Sequence, residues 1–300
     1  MNNKKILITG ANGLLGQKVY ELFRNETSHK LILTDLHPDS FAFPEAEYFS
    51  MDITAKDAVK DAVRKYLPDV IINTAAYTDV DGCETDRELS WKVNVDAVKN
   101  FIIASRINSC KIVQISTDYV FDGRSGNYDE YSKPNPLNYY GKSKLAAENA
   151  LISGGVDYTI VRTMILYGKG ENVKPNFALW LIDKLGSNQS VRIVDDQFGM
   201  PTIVDDLAWA LVKIVNLDKR GIYHVCGSEY LSRFEFAVKL SEVFGFDEDL
   251  ILPVKTSDLN QAAERPMKSS FVLLKSQTEL GIKPLNVTEG LHLLKIQLES

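Results

Sequence analysis

From Lys4 to about Thr163 the chain alternates short β-branched runs with stretches of helical spacing. The runs are "KKILITG", "KLILTD", "DVIINTAA", "KIVQIST" and "DYTIVRT". Each is nearly continuously apolar, as strands are when both faces of a sheet are covered, and strands separated by helices imply a parallel sheet. After Tyr167 the texture turns to Gly, Pro and polar residues ("GKGENVKPN", "GSNQS", "DQFGMPT"), broken by helical stretches such as "FALWLIDKL" and "RFEFAVKLSEVFG". The pattern predicts an α/β protein with a doubly wound parallel sheet of Rossmann type over residues 1–166 and a smaller substrate-binding lobe over 167–300. Within the second part, "VDDLAWALVKIV" and "GIYHVCG" read as one more helix and strand, so the segments near 203–227 are expected to return to the first lobe. There is no internal repeat and no low-complexity tract.

Composition narrows the functional classes. A chain of 300 residues buries enough apolar surface to fold without staples. Net charge is -6 and the basic residues are dispersed, which argues against a nucleic-acid partner. Cys83, Cys110 and Cys226 are scattered, odd in number and outside any CxxC pair, as expected for small core residues in a reducing compartment, and no zinc or other metal site is expected. No run of 18 uncharged apolar residues occurs, and the apolar run after "MNNKK" is too short for a signal segment, so a cytoplasmic location without membrane contact is expected. The acidic stretch "TDVDGCETDRE" lacks the spacing of a calcium loop and reads as a solvated loop and helix cap. His29, His37, His224 and His292 fall in no metal or triad pattern, and Trp91 and Trp180 read as core.

Candidate chemistry begins directly after the first strand. "GANGLLG" places Gly10, Gly13 and Gly16 in a turn that opens a helix. Glycines there allow a tight turn and close approach of backbone to a pyrophosphate, which the helix N-terminus attracts. The second strand ends in Asp35, about 20 residues on, where a carboxylate accepts hydrogen bonds from the adenosine ribose. That tilts the choice between NAD(H) and NADP(H) toward NAD(H), because a 2′-phosphate would be repelled; Lys30 and His37 are the residues that could offset the repulsion. Asp52, in "SMDIT" after a candidate third strand, is a candidate for the adenine edge.

A second centre lies in "NPLNYYGKSKLAAEN". Residues four apart share a helix face, so Tyr140 pairs with Lys144, whereas Tyr139 faces Ser143. A free phenol titrates near 10 and needs a neighbouring cation to work as an acid or base at neutral pH; Lys144 is expected to supply it and to lower the Tyr140 pKa. The strand "KIVQISTDYVF" ends in Ser116 and Thr117, and strand C-termini line the ligand crevice of a parallel sheet.

The stretches "TGANGLLG", "NTAA", "STDYVF" and "YGKSK" together resemble the extended short-chain dehydrogenase/reductase superfamily. Within it, "INTAAYTDVDGCE", "STDYVFDG", "PLNYYGKSKLAAE", "DDQFGMPTIVDDLA" and "ERPMKSS" are most similar to the dTDP-4-dehydrorhamnose reductases. The resemblance implies NAD(P)H-dependent reduction of the 4-keto group of a nucleotide-diphosphate 6-deoxyhexose, with Thr117, Tyr140 and Lys144 as the catalytic residues. It implies a cofactor set of Gly10, Asn12, Gly13, Leu14, Leu15, Gly16, Asp35, Asp52, Ile53, Thr74, Ala75 and Ala76, completed by Tyr140 and Lys144. The candidate substrate contacts are Thr117, Asp118, Tyr119, Gln197 and Arg265, and a homodimer is the candidate assembly. Two positions depart from the family pattern. Met164 and Ile165 follow "RT" where a serine and tryptophan are usual, and Lys268 stands where "RPxNS" has asparagine. The "ILYG" version is closer to a non-catalytic relative, the regulatory beta subunit of methionine adenosyltransferase. A nucleotide-sugar epimerase, using the same three residues with a permanently held NAD, is the other alternative.

Overall fold

The computed structural model describes residues 3–300. Six parallel strands come first: β1 (Lys5–Thr9), β2 (Lys30–Asp35), β3 (Tyr48–Ser50), β4 (Val70–Asn73), β5 (Lys111–Thr117) and β6 (Tyr158–Thr163). A seventh strand, Gly221–His224, joins beyond β6, and the order across the sheet is Gly221–His224, β6, β5, β4, β1, β2, β3. Ile6, Leu7 and Ile8 of β1 are all fully buried, as an all-parallel strand covered on both faces requires. The helices are α1 (Leu14–Glu26), α2 (Lys56–Tyr66), α3 (Val80–Thr85), α4 (Arg87–Trp91), α5 (Ala97–Ser105), α6 (Tyr139–Ser153), α7 (Phe177–Gly186), α8 (Val204–Asn216) and α9 (Arg233–Phe244). Two further helices, Leu274–Leu280 and Val287–Glu299, close the chain.

Side-chain spacing decides which helix covers which face. In α1, Leu15, Val19 and Phe23 recur every four residues and pack with Leu207, Leu211 and Ile214 of α8 on one face of the sheet. On the other face, Val59 and Val63 of α2, Phe101 of α5 and Leu151 of α6 share a second core. A third core, around Leu181, Phe236, Leu240 and Leu291, belongs to the C-terminal half. The acidic stretch behaves as helix caps: the Asp79 side chain accepts from the Gly82 N–H and Asp86 from the Leu89 N–H. All three cysteines are buried and free.

Helix α6 is fixed by a buried charge network. Asn138 caps its start by accepting from the Gly141 N–H. Two turns beyond Tyr140, the Glu148 carboxylate accepts from Arg162 Nε at 3.0 Å and Nη2 at 2.6 Å, and from the Ser116 hydroxyl. The fourth member is His224, whose Nε2 lies 3.3 Å from Arg162 Nη1 and whose Nδ1 lies 3.1 Å from the Tyr128 carbonyl. Burial, followed by the neighbouring guanidinium, depresses the His224 pKa to about 3, so the ring is neutral, donates through Nδ1 and accepts through Nε2.

Removing one partner of such a pair leaves an uncompensated charge in the core. Arg162→Met should lower the unfolding free energy by about 3–5 kcal/mol in urea titration, and adding Glu148→Leu should recover most of that loss. A single-mutant loss under about 1 kcal/mol would show that the network does not hold α6 in place.

Candidate functional site

The strand order reverses between β1 and β4, and the chain turns that follow those two strands line a crevice at their C-terminal ends. Gly10 takes φ +70°, a left-handed conformation, and a Cβ there would sit 2.6 Å from the Ala75 nitrogen. Gly16 lies over the same turn, where a Cβ would meet the Gly10 carbonyl oxygen. Helix α1 starts at Gly13 without a side-chain cap, leaving its first N–H groups to the crevice. Asn12 pins the neighbouring loop: its Oδ1 accepts from the Phe41 N–H, its Nδ2 donates to the Asp39 carbonyl, and its own N–H donates to Asp35 Oδ2 at 3.0 Å.

Three adjoining cavities run from this turn across the molecule. The first, about 510 Å³, is lined by Gly10, Asn12, Gly13, Leu14, Asp35, Asp52, Ile53 and Thr74 to Ala76. Its Asp35 also accepts from the Leu36 N–H at 2.7 Å, and Asp52 Oδ1 is bonded to the Thr54 hydroxyl and N–H. The second, about 430 Å³, shares Gly13, Leu14 and Thr74 to Ala76, adds Leu15 and Gly16, and brings in Thr117, Asp118, Tyr119, Tyr140 and Lys144. The third, about 450 Å³, shares Thr78, Val80 and Tyr119 with the second and contains Gln197 and Arg265. Every sequence-derived candidate therefore lines one of the three.

The electrostatics of the Tyr140 cluster differ from expectation. Lys144 is buried and its ammonium donates to the Ile115 carbonyl at 2.7 Å. Burial lowers its pKa to about 8, opposed by the charge of Glu148 one turn along. Tyr140 is held above the ordinary phenol range, not below it. Burial is the main cause and the Asp118 carboxylate the next, while polar contact with the Thr117 hydroxyl favours the phenolate. Lys144 does not offset these effects because its head group is turned to the β5 backbone. Tyr139 instead packs, with Trp91 at 6.3 Å between ring centroids and the Arg87 guanidinium 5.1 Å from its ring.

In the third cavity Arg265 is already engaged. Nη1 and Nη2 fork onto both carboxylate oxygens of Asp81 at 3.0 and 2.7 Å. Gln197 Nε2 donates to the Thr256 hydroxyl at 3.1 Å. Several lining residues were not anticipated. Trp180, expected in the core, is 36% exposed and stacks on Phe177, with Arg233 over the Phe177 ring at 5.1 Å. Arg192 and Arg233 have no ion-pair partner among the described residues. The sequence signal for Arg233 is the capping box Ser232–Glu235, which starts α9 beneath the cavity.

Ile165 forms part of the wall between the second cavity and the "DQFGMPT" loop. It takes φ +46°, a conformation a β-branched residue rarely adopts, and a Cβ on Gly199 would sit 2.5 Å from its Cδ1. Its carbonyl accepts from the Thr202 N–H at 3.1 Å. Among the described residues, no helix is long and apolar enough to cross a membrane, and no group of three His, Cys, Asp or Glu side chains could hold a metal ion.

Sheet order, glycine turn and the Tyr140/Lys144 helix define a dinucleotide-binding α/β protein of the extended short-chain dehydrogenase/reductase type. The chain belongs to the RmlD substrate binding domain family, whose profile matches residues 4–298. It is 32% identical to dTDP-4-dehydrorhamnose reductase of Aggregatibacter actinomycetemcomitans, covering 98% of this chain and 99% of that one. It is 33% identical to methionine adenosyltransferase 2 subunit beta of Xenopus tropicalis, covering 88% and 78% respectively. The crystal structure of dTDP-4-dehydrorhamnose reductase from Bacillus anthracis, solved in complex with NADP, superposes with a TM-score of 0.89 at 34% identity over 99% of this chain and 100% of that one.

The close approach of Gly10 to Ala75 gives a direct test of the cradle. Gly10→Ala should raise the dissociation constant for reduced nicotinamide dinucleotide at least about tenfold, read by quenching of tryptophan fluorescence. An unchanged constant would remove the turn from the binding site.

Proposed function

We propose that this chain reduces the 4-keto group of a nucleotide-diphosphate 6-deoxyhexose with a nicotinamide cofactor, as a dTDP-4-dehydrorhamnose reductase. The observation that carries the reading is the convergence of Thr117, Tyr140 and Lys144 on one cavity that adjoins both the glycine turn and the arginine-lined pocket. The reduced nicotinamide supplies a hydride to the carbonyl carbon. Tyr140 donates its phenolic proton to the carbonyl oxygen, beside the Thr117 hydroxyl that polarises it. Lys144, cationic below about pH 8 and bonded to the Ile115 carbonyl, would orient the cofactor ribose.

The turn suits a dinucleotide because the positions that must lack a side chain are glycine and the uncapped helix end faces the crevice. Gly10, Asn12, Gly13, Leu14, Leu15 and Gly16 would hold the pyrophosphate, with Asp35, Asp52, Ile53 and Thr74 to Ala76 along the adenosine. Asp35 supports NADH as the preferred partner. Lys30 is paired with Glu47 at 2.9 Å and His37 bonds the Asp39 backbone, so neither is free to offset the carboxylate. The nucleotide-sugar diphosphate would lie across the third cavity, with Tyr119, Gln197, Arg192 and Arg233 on it and the Phe177–Trp180 pair as a stacking surface. Arg265 would contribute once a diphosphate competes with Asp81.

The regulatory and epimerase readings are separable from this one. Incubated with a dTDP-4-keto-6-deoxyhexose, the protein should oxidise reduced cofactor; tight cofactor binding without oxidation would favour a regulatory subunit, and stoichiometric NAD released on denaturation would favour an epimerase. Tyr140→Phe should lower kcat by at least about 100-fold, whereas Tyr139→Phe, which keeps its packing ring, should stay within about threefold. Equal losses would assign the acid to the wrong tyrosine. The kcat/KM for NADH should exceed that for NADPH at least about tenfold, and Asp35→Ala should narrow the ratio; a wild-type preference for NADPH would overturn the role of Asp35.

A further inference from the structure

Three arginines line the third cavity, and they differ in what holds them. Arg192 and Arg233 have no ion-pair partner among the described residues, whereas the Arg265 fork takes both oxygens of Asp81 at 3.0 and 2.7 Å. A guanidinium grips a diphosphate with the same planar pair of N–H groups. Carboxylate and diphosphate therefore cannot both hold Arg265 in this geometry.

The surroundings favour exchange over a fixed pair. The Asp81 side chain is 42% exposed, so water can take over the carboxylate when its partner leaves, which the core denies to Glu148. The chain that carries Arg265 is anchored by other bonds: the Ala263 N–H donates to Asp81 Oδ1 at 2.9 Å, and Asn138 Nδ2 donates to the Glu264 carbonyl at 2.8 Å. Rotation of the Arg265 side chain alone releases the fork and leaves the cavity wall in place. The hydrogen bonds from Arg265 hold the Asp81 carboxyl below the ordinary carboxylate range, so at neutral pH an incoming diphosphate meets an anion on the fork.

We propose that Asp81 sets the affinity of the site by competing with the substrate diphosphate for Arg265. In the free protein the fork rests on Asp81; in the complex it moves to the diphosphate, and Asp81 keeps the Ala263 N–H and gains water. This competition presupposes the reductase reading above, which puts a nucleotide-sugar diphosphate in the third cavity. A neutral sugar or nucleoside has nothing with which to draw the fork from a carboxylate, since that takes an anion with at least two acceptor oxygens. Asp81 thus makes Arg265 answer to the diphosphate and not to the sugar or the base.

The test measures binding of deoxythymidine diphosphate to the full chain by calorimetry, with the KM of a dTDP-4-keto-6-deoxyhexose alongside. Asp81→Asn, which leaves an acceptor for the Ala263 N–H, should lower the dissociation constant at least about threefold and lower KM by a similar factor. Arg265→Ala should raise the dissociation constant at least about fivefold, and adding Asp81→Asn to it should change the value by less than about 1.5-fold. A dissociation constant for reduced nicotinamide dinucleotide within about twofold of wild type shows that each variant is folded, and Asp81→Ser carries the test if the asparagine variant is not. Unchanged or weaker diphosphate binding by Asp81→Asn overturns the competition, and so does equal tightening with and without Arg265, which would be a general effect of charge. Either result leaves the reductase reading standing if the wild type oxidises reduced cofactor with the keto sugar; a wild type that neither turns over nor binds the diphosphate overturns both.

Discussion

The Glu148 carboxylate, with no exposed face, ties together three elements that no local preference would bring into register. It belongs to α6, receives the Arg162 guanidinium from β6 and the Ser116 hydroxyl from β5, and through Arg162 reaches His224 on the outermost strand. A charge so deeply buried tolerates little displacement, because each lost donor leaves a desolvated oxygen. Tyr140, Lys144 and Glu148 recur every four residues, so fixing the last fixes the rotation of the helix that presents the first two. The geometry of the cavity is thus set by an interaction that lies behind it.

What could be read from the residues was what local rules encode. The strands β1, β2, β4, β5 and β6 are near-continuous apolar runs, and the turn "GANGLLG" is constrained by backbone approach that only glycine allows. That Tyr140 and Lys144 line one cavity followed from helical spacing. Cys83, Cys110 and Cys226 lie in the core, and the acidic stretch caps α3 and α4, because capping and burial are also short-range preferences.

What could not be read depended on where charged head groups find partners across the fold. Spacing placed Lys144 beside Tyr140 but could not say that its ammonium would turn to the Ile115 carbonyl, nor that Asp118 would become the phenol's electrostatic neighbour. Arg265 was expected at the site and lines the third cavity, but its bidentate hold on Asp81, 184 positions away, carries no periodic signature. Trp180 sits among apolar residues at helical spacing and so resembles core, yet α7 ends one side of an open cavity and leaves the indole partly uncovered.

Ile165 ties shape to stability in an unusual direction. A left-handed conformation costs an L-residue about 1–2 kcal/mol, a sizeable part of the 5–15 kcal/mol that holds a typical domain folded. Most changes that remodel a ligand pocket weaken the fold that carries it. At position 165 the backbone strain runs the other way: a glycine would relax the turn while withdrawing the side chain that rests on Gly199. Part of the stability lost with the apolar contacts of Ile165, which packs on the core around Met164 and Met200, would therefore be returned by the backbone when a lineage alters the contour of its pocket here.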